Sequence, residues 1–129
     1  MYVFPVNIEF EDIDSYGVMH HPKILYFFER TRMHYLLDHN INLSELGIGT
    51  LIRNVSIQYK IPVLLAEKIN IETKTTCIEK YRFVVDYTVK KSDTKIAIKG
   101  MTELCTIDLN TKKLIPIPDY LLELLKALQ

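Results

Sequence analysis

The chain has 129 residues, 48% of them hydrophobic and 25% charged, and its 16 basic residues balance 16 acidic ones. That length fits one domain, 1–129, and that composition is the one of an ordinary globular protein. Zero net charge argues against a partner held by bulk electrostatics, such as duplex nucleic acid or an anionic membrane, although a few Lys and Arg can still grip a small anionic ligand.

Met1 to Phe10 lacks the basic start and long apolar run of a signal peptide. No stretch approaches the ~20 apolar residues of a membrane span. Cys77 and Cys105 belong neither to a CxxC nor to a Cys/His cluster with zinc spacing. Free thiols in a reducing compartment are expected. The location expected is cytoplasmic, with no nucleic-acid partner and no integral membrane contact.

Val6, Ile8 and Phe10 alternate with Asn7, Glu9 and Glu11, which predicts a half-buried first strand. Asp12, Asp14, Ser15 and Gly17 then supply turn chemistry. Pro22 suits the first position of a helix, where its missing N–H costs nothing. The helix runs to about His39, with Asn40 as a left-handed residue closing it. Ile24, Leu25, Phe27, Phe28, Met33, Tyr35, Leu36 and Leu37 occupy more than one of its faces, as in a helix covered on several sides.

Ile41 to Gly49 reads as a connector with a short turn at Ser44 to Leu46. Strands follow over Val55–Ile61, Ile69–Cys77, Arg82–Val89 and Lys95–Leu109. Lys90 to Thr94 is a hairpin connection. Leu121, Leu122, Leu124, Leu125 and Leu128 form the stripe of a short C-terminal helix. The predicted class is α+β, an antiparallel sheet of about five strands curled around one long central helix. One small sheet does not cover so apolar a helix, so a second subunit is expected, most simply in a two-fold dimer.

The chemistry concentrates where the first strand gives way to that helix. The first N–H groups of a helix lack internal partners and carry partial positive charge. They can stabilise an oxygen that becomes negative in a transition state. Pro22 has no N–H, so the backbone N–H of His21 is the nearest donor. Gly17 permits a tight turn and a close approach to a ligand. Asp14 beside that donor can attack an acyl carbon or activate a water for the attack. Asp12 and Asp14 equally suit a turn or a helix cap, and His20 and His21 equally suit turn positions. A metal site is not expected, because adjacent histidines diverge and His34 and His39 lie farther along the helix. Glu29 and Arg32, three apart, can pair on one helix face, or Glu29 can serve as a second carboxylate. Lys80 and Arg82, with Lys90 and Lys91, are candidates for phosphate contacts or plain solubility residues.

The run Glu9 to Pro22, continuing through Tyr26-Phe27-Phe28-Glu29-Arg30-Thr31-Arg32, resembles the hotdog-fold acyl-CoA thioesterases, in particular the 4-hydroxybenzoyl-CoA thioesterase group and its Tol–Pal-associated relatives. The shared features are a D-x-D-x-x-G turn after a strand and an aromatic-rich helix ending in E-R-x-R. The resemblance implies a hotdog fold, a homodimer or homotetramer, and a coenzyme A thioester as substrate, with no separate cofactor. It puts Asp14 in the place of nucleophile or general base, and the His21 N–H in that of carbonyl polariser. It puts Lys80 and Arg82 where nucleotide phosphates are bound. Tyr16 stands where a small residue is usual and His20 where an aromatic is common, so both bear on the acyl pocket.

The expected function is therefore hydrolysis of an acyl-CoA to free acid and coenzyme A. A hydratase or dehydratase using Asp14 with His20 or His21 as acid and base is the second reading. A catalytically idle module that binds acyl-CoA or a protein partner is the third.

Overall fold

The computed structural model describes residues 1–129. Five strands and two helices follow one another as β1 (Tyr2–Asn7), α1 (Lys23–Asp38), β2 (Ile48–Tyr59), β3 (Lys68–Ile78), β4 (Arg82–Lys91), β5 (Ile96–Asp108) and α2 (Asp119–Ala127). The strands form one antiparallel sheet in the order β1-β3-β4-β5-β2. Alternation decides which side is buried. Ile69, Ile71, Thr73 and Thr75 of β3 face inward, as do Phe83, Val85, Tyr87 and Val89 of β4.

Helix α1 lies on that inner face. It buries Ile24, Phe27, Phe28, Thr31 and Tyr35, a stripe at helical spacing. The closest approach is at Gly100 of β5, where a Cβ would lie 2.5 Å from the Phe28 ring. Phe28 also stacks on Tyr87 with ring centroids 3.9 Å apart. The hydroxyl of Tyr87 bonds to Thr102 at 2.9 Å and accepts from Arg32 at 2.9 Å. Helix α2, with Leu121 and Leu125, and Leu128 just after it close one end of the core. Asn40 ends α1 with a φ of 60°, as its place after the helix suggested.

β4 runs on to Lys91, so Lys90 and Lys91 are strand residues and not part of the hairpin connection, and the largest differences from the sequence reading lie in β1 and β2. β1 starts at Tyr2 and stops at Asn7, and Phe10 to Asp12 form a 3-10 turn that leaves Phe10 exposed. The Asp12 carboxylate captures the Glu9 N–H at 2.9 Å and closes that turn, so the apolar alternation outlasts the strand. β2 begins at Ile48, well before Val55. A register shift between Ile52 and Asn54 breaks its period of two and hides its first half. The cysteines are free, Cys77 half-buried and Cys105 buried. No helix is long and apolar enough to cross a membrane.

Several phenols are tuned by this packing. Burial, with a hydrogen bond to Asp38 and its charge, pushes Tyr2 up to about 12. Burial likewise raises Tyr35, Tyr59 and Tyr87 above the usual phenolic value. An unfolded chain gives up these protons near pH ~10. The folded chain keeps them longer, so the stability they lend is present below that pH and is lost as pH rises through the folded values. Thermal melts should therefore show Tm falling between about pH 10 and about pH 12, with a shallower fall in Tyr2→Phe.

Candidate active site

The turn from Ile13 to Met19 is a small hairpin. Ile13 bridges to Met19, and the Asp14 N–H donates to the Val18 carbonyl at 2.8 Å. Gly17 takes a φ of +76°, which a side chain disfavours, so its place in the turn is backbone-determined. Nothing lies within 4 Å of where its Cβ would be. The hairpin is tied to the segment after β2, since Val18 bridges to Leu64 and the Met19 N–H donates to Val63 at 2.7 Å.

Asp14 is half-buried. Its Oδ1 accepts from the N–H groups of Tyr16 at 2.8 Å and Val18 at 3.3 Å. Its Oδ2 takes no hydrogen bond from the chain. One oxygen thus holds the turn while the other has no partner in the chain. Asp12 differs. It is buried, it caps the 3-10 turn, and its Oδ1 lies 3.5 Å from Lys23 Nζ.

The helix starts beside this carboxylate turn. The His20 N–H donates to the Asp12 carbonyl at 2.8 Å, and the His20 carbonyl accepts from the Lys23 N–H at 2.9 Å. The His21 N–H finds no acceptor within the chain. The His21 carbonyl accepts from the Tyr59 hydroxyl at 2.5 Å. The rings of His20 and His21 are exposed, with centroids 5.1 Å apart. Tyr16 is 88% exposed. No three His, Cys, Asp or Glu side chains converge as a metal-holding group.

The remaining sequence candidates stand elsewhere. Glu29 and Arg32 share a helix face but form no ion pair, because Arg32 turns inward to the Tyr87 hydroxyl. Both line an open groove of about 310 Å³ with Met33, Leu37, Ile48 and Leu109, toward the far end of α1. Lys80 and Arg82 lie in and beside the β3–β4 turn. The pairings Asn7↔Lys68 and Tyr2↔Thr73 put that turn at the end of the sheet opposite Asp14. Arg82 is committed to Glu79 at 2.8 Å and Glu103 at 3.1 Å, and those contacts hold its guanidinium protonation above the usual range. Lys80 Nζ sits 5.5 Å from the Tyr81 ring centroid. Sequence reading missed Tyr59, 38 residues from His21. A tyrosine in an alternating strand carries no signal of such a contact.

One antiparallel sheet wrapped on one long helix, with a carboxylate turn at the helix start, defines the hotdog class. The chain belongs to the thioesterase-like superfamily, whose family model matches residues 8–125. It is 26% identical over 119 residues to the acyl-CoA thioesterase YbgC of Haemophilus influenzae, covering 89% of this chain and 87% of that one. Among solved structures it resembles a hypothetical protein of Aquifex aeolicus, with a TM-score of 0.91, 22% identity and coverage of 97% and 99% of the two chains. A DHNA-CoA thioesterase of Staphylococcus aureus superposes with a TM-score of 0.86 at 22% identity, over 98% of this chain and 87% of that one.

Proposed function

We propose that the protein hydrolyses an acyl-CoA thioester to a free acid and coenzyme A. The observation that carries this reading is the half-occupied Asp14 carboxylate next to a helix start whose leading N–H is unclaimed. The thioester carbonyl oxygen takes the His21 N–H, which strengthens its bond as the oxygen becomes anionic. Asp14 Oδ2 either accepts a proton from the attacking water or itself adds to the carbonyl carbon. Both routes form a tetrahedral oxyanion at the thioester carbon and expel the coenzyme A thiolate. The direct route leaves an acyl–Asp14 anhydride that water then opens. Water is the only co-reactant, so coenzyme A enters as part of the substrate and no further cofactor is needed. Such a substrate suits an intracellular location.

A second copy completes the site. β2 is an edge strand of 12 residues, and Leu51 and Ile52 on it are exposed. Beside it α1 leaves Tyr26, Met33 and Leu37 exposed. Long apolar edges of this kind invite pairing. Two β2 edges joined antiparallel about a two-fold axis reverse the partner end for end. The partner's Lys80 and Arg82 then come to the end of the sheet that carries Asp14, which a single chain does not achieve. The pantetheine arm would run between the subunits. Leu51→Lys combined with Ile52→Lys should convert a dimer to a monomer in light scattering. An unchanged dimer mass would move the interface to another face.

The functional test offers a saturated acyl-CoA and its 2,3-enoyl counterpart in parallel. Thiol release from both supports hydrolysis. Hydration of the enoyl-CoA with no thiol release would instead establish a hydratase.

A further inference from the structure

We propose that Tyr59 is a positioning residue for the carbonyl-polarising step: its hydroxyl holds the His21 carbonyl and so fixes where the His21 N–H sits. This rests on the hydrolase reading above and adds a residue to it.

The contact ties the end of β2 to the chain entering α1. Tyr59 is the last residue of β2, on the unpaired edge of the sheet. It stands opposite Ile98, which is buried, and its hydroxyl reaches the backbone just ahead of α1. The two peptide groups around His21 need separate restraints. The upstream one is held through the His20 carbonyl, which accepts from Lys23. No peptide bond in the chain is cis. In a trans peptide the N–H points opposite to the carbonyl, so the His21 N–H faces away from the helix, where a substrate oxygen can meet it.

The downstream peptide joins His21 to Pro22 and has no N–H. Its carbonyl is the only group by which it can be held. The start of α1 has no side-chain cap. Tyr59 is not a substitute for that cap, since it donates to a carbonyl rather than accepting from the free N–H groups; it anchors the chain entering the helix and leaves those donors open. The Lys23 bond sets the plane of the peptide that carries the His21 N–H, and the Tyr59 bond fixes where His21 as a whole sits, so that losing the second lets the entry segment shift and carries the donor off line. A donor is useful in a transition state only when it is already aimed. Burial raises the Tyr59 phenol, which keeps it a proton donor throughout the neutral range.

Tyr59→Phe keeps the ring and removes the hydroxyl. Wild type, Tyr59→Phe, Asp14→Asn and the control Tyr120→Phe are compared on the acyl-CoA that wild type turns over best. Tyr59→Phe should lower kcat roughly fivefold to tenfold, the effect of one lost or misaligned hydrogen bond, with KM within about twofold of wild type. Hydrogen exchange of the substrate-free protein should be faster for peptides spanning 20–26 and unchanged over β3, β4 and β5. Tyr120→Phe should match wild type in both. Unchanged kcat in Tyr59→Phe overturns the proposal, as does unchanged exchange at 20–26. A rise in KM that accounts for the whole loss overturns it too, because that marks a binding contact. A wild type that releases no thiol, with Asp14→Asn equally silent, fails the hydrolase reading itself and removes the proposal with it. The exchange data then still show whether the contact exists.

Discussion

Asp14→Asn should lower kcat for acyl-CoA hydrolysis by about 10²- to 10⁴-fold while the protein stays folded. The two oxygens of Asp14 make this separation possible. Oδ1 accepts from Tyr16 and Val18, and an amide oxygen can take over both bonds. Oδ2 has no partner in the chain, and an amide NH₂ in its place neither attacks a carbonyl nor accepts a proton. Stability should change by less than about 0.5 kcal/mol. Asp14→Ala is different, because it removes the turn bonds as well, and its Tm should fall along with its kcat. His21→Ala keeps the backbone N–H and should retain much of the activity. A fully active Asp14→Asn would take Asp14 out of the mechanism.

Gly100→Ala should destabilise the fold by about 1–3 kcal/mol, or roughly 4 °C of Tm per kcal/mol in a chain of this size. The added Cβ would sit 2.5 Å from Phe28 Cε2 and 2.7 Å from its Cζ. The ring has nowhere to retreat. Phe28 is fully buried and stacked on Tyr87, and Tyr87 is held by Arg32 and Thr102. The helix must lift instead. His21 stands two residues ahead of α1, so activity should fall with stability. Phe28→Leu alone opens a cavity, but paired with Gly100→Ala it should recover part of the loss, and a double-mutant cycle measures that coupling. Additive losses would show that the two sites do not press on each other.

Much of this architecture is written locally. β3 and β4 alternate because each has one face toward the helix, whereas β5 is buried on both faces over Leu104–Ile107, where the segment at Leu114 and Ile115 covers it. α1 is bracketed by Pro22 and the left-handed Asn40, and α2 by its leucine stripe. The first half of β2 was hidden because a bulge at Arg53 interrupts its alternation, and because Leu51 and Ile52, neighbours in the chain, are both exposed on an edge strand. The Asp14 turn and its helix start were legible from residue types alone. The free oxygen of Asp14 was not, since spacing does not tell which lone pairs a turn consumes. Glu29 and Arg32 sit at pairing distance along a helix, yet Arg32 is drawn to Tyr87, 55 residues away. Lys80 and Arg82 read as phosphate ligands in one dimension, and only the strand register shows that they occupy the far end of the sheet.

Hydrolysis at Asp14 is tested most directly by following thiol and free acid together, over a panel of aliphatic and aromatic acyl-CoAs, with wild type and folded Asp14→Asn side by side. The expected result is one thiol per acid released by wild type on at least one member of the panel, and a loss of about 10²-fold or more in the variant. Tight acyl-CoA binding with no thiol release from any member, or equal release by wild type and Asp14→Asn, would contradict it.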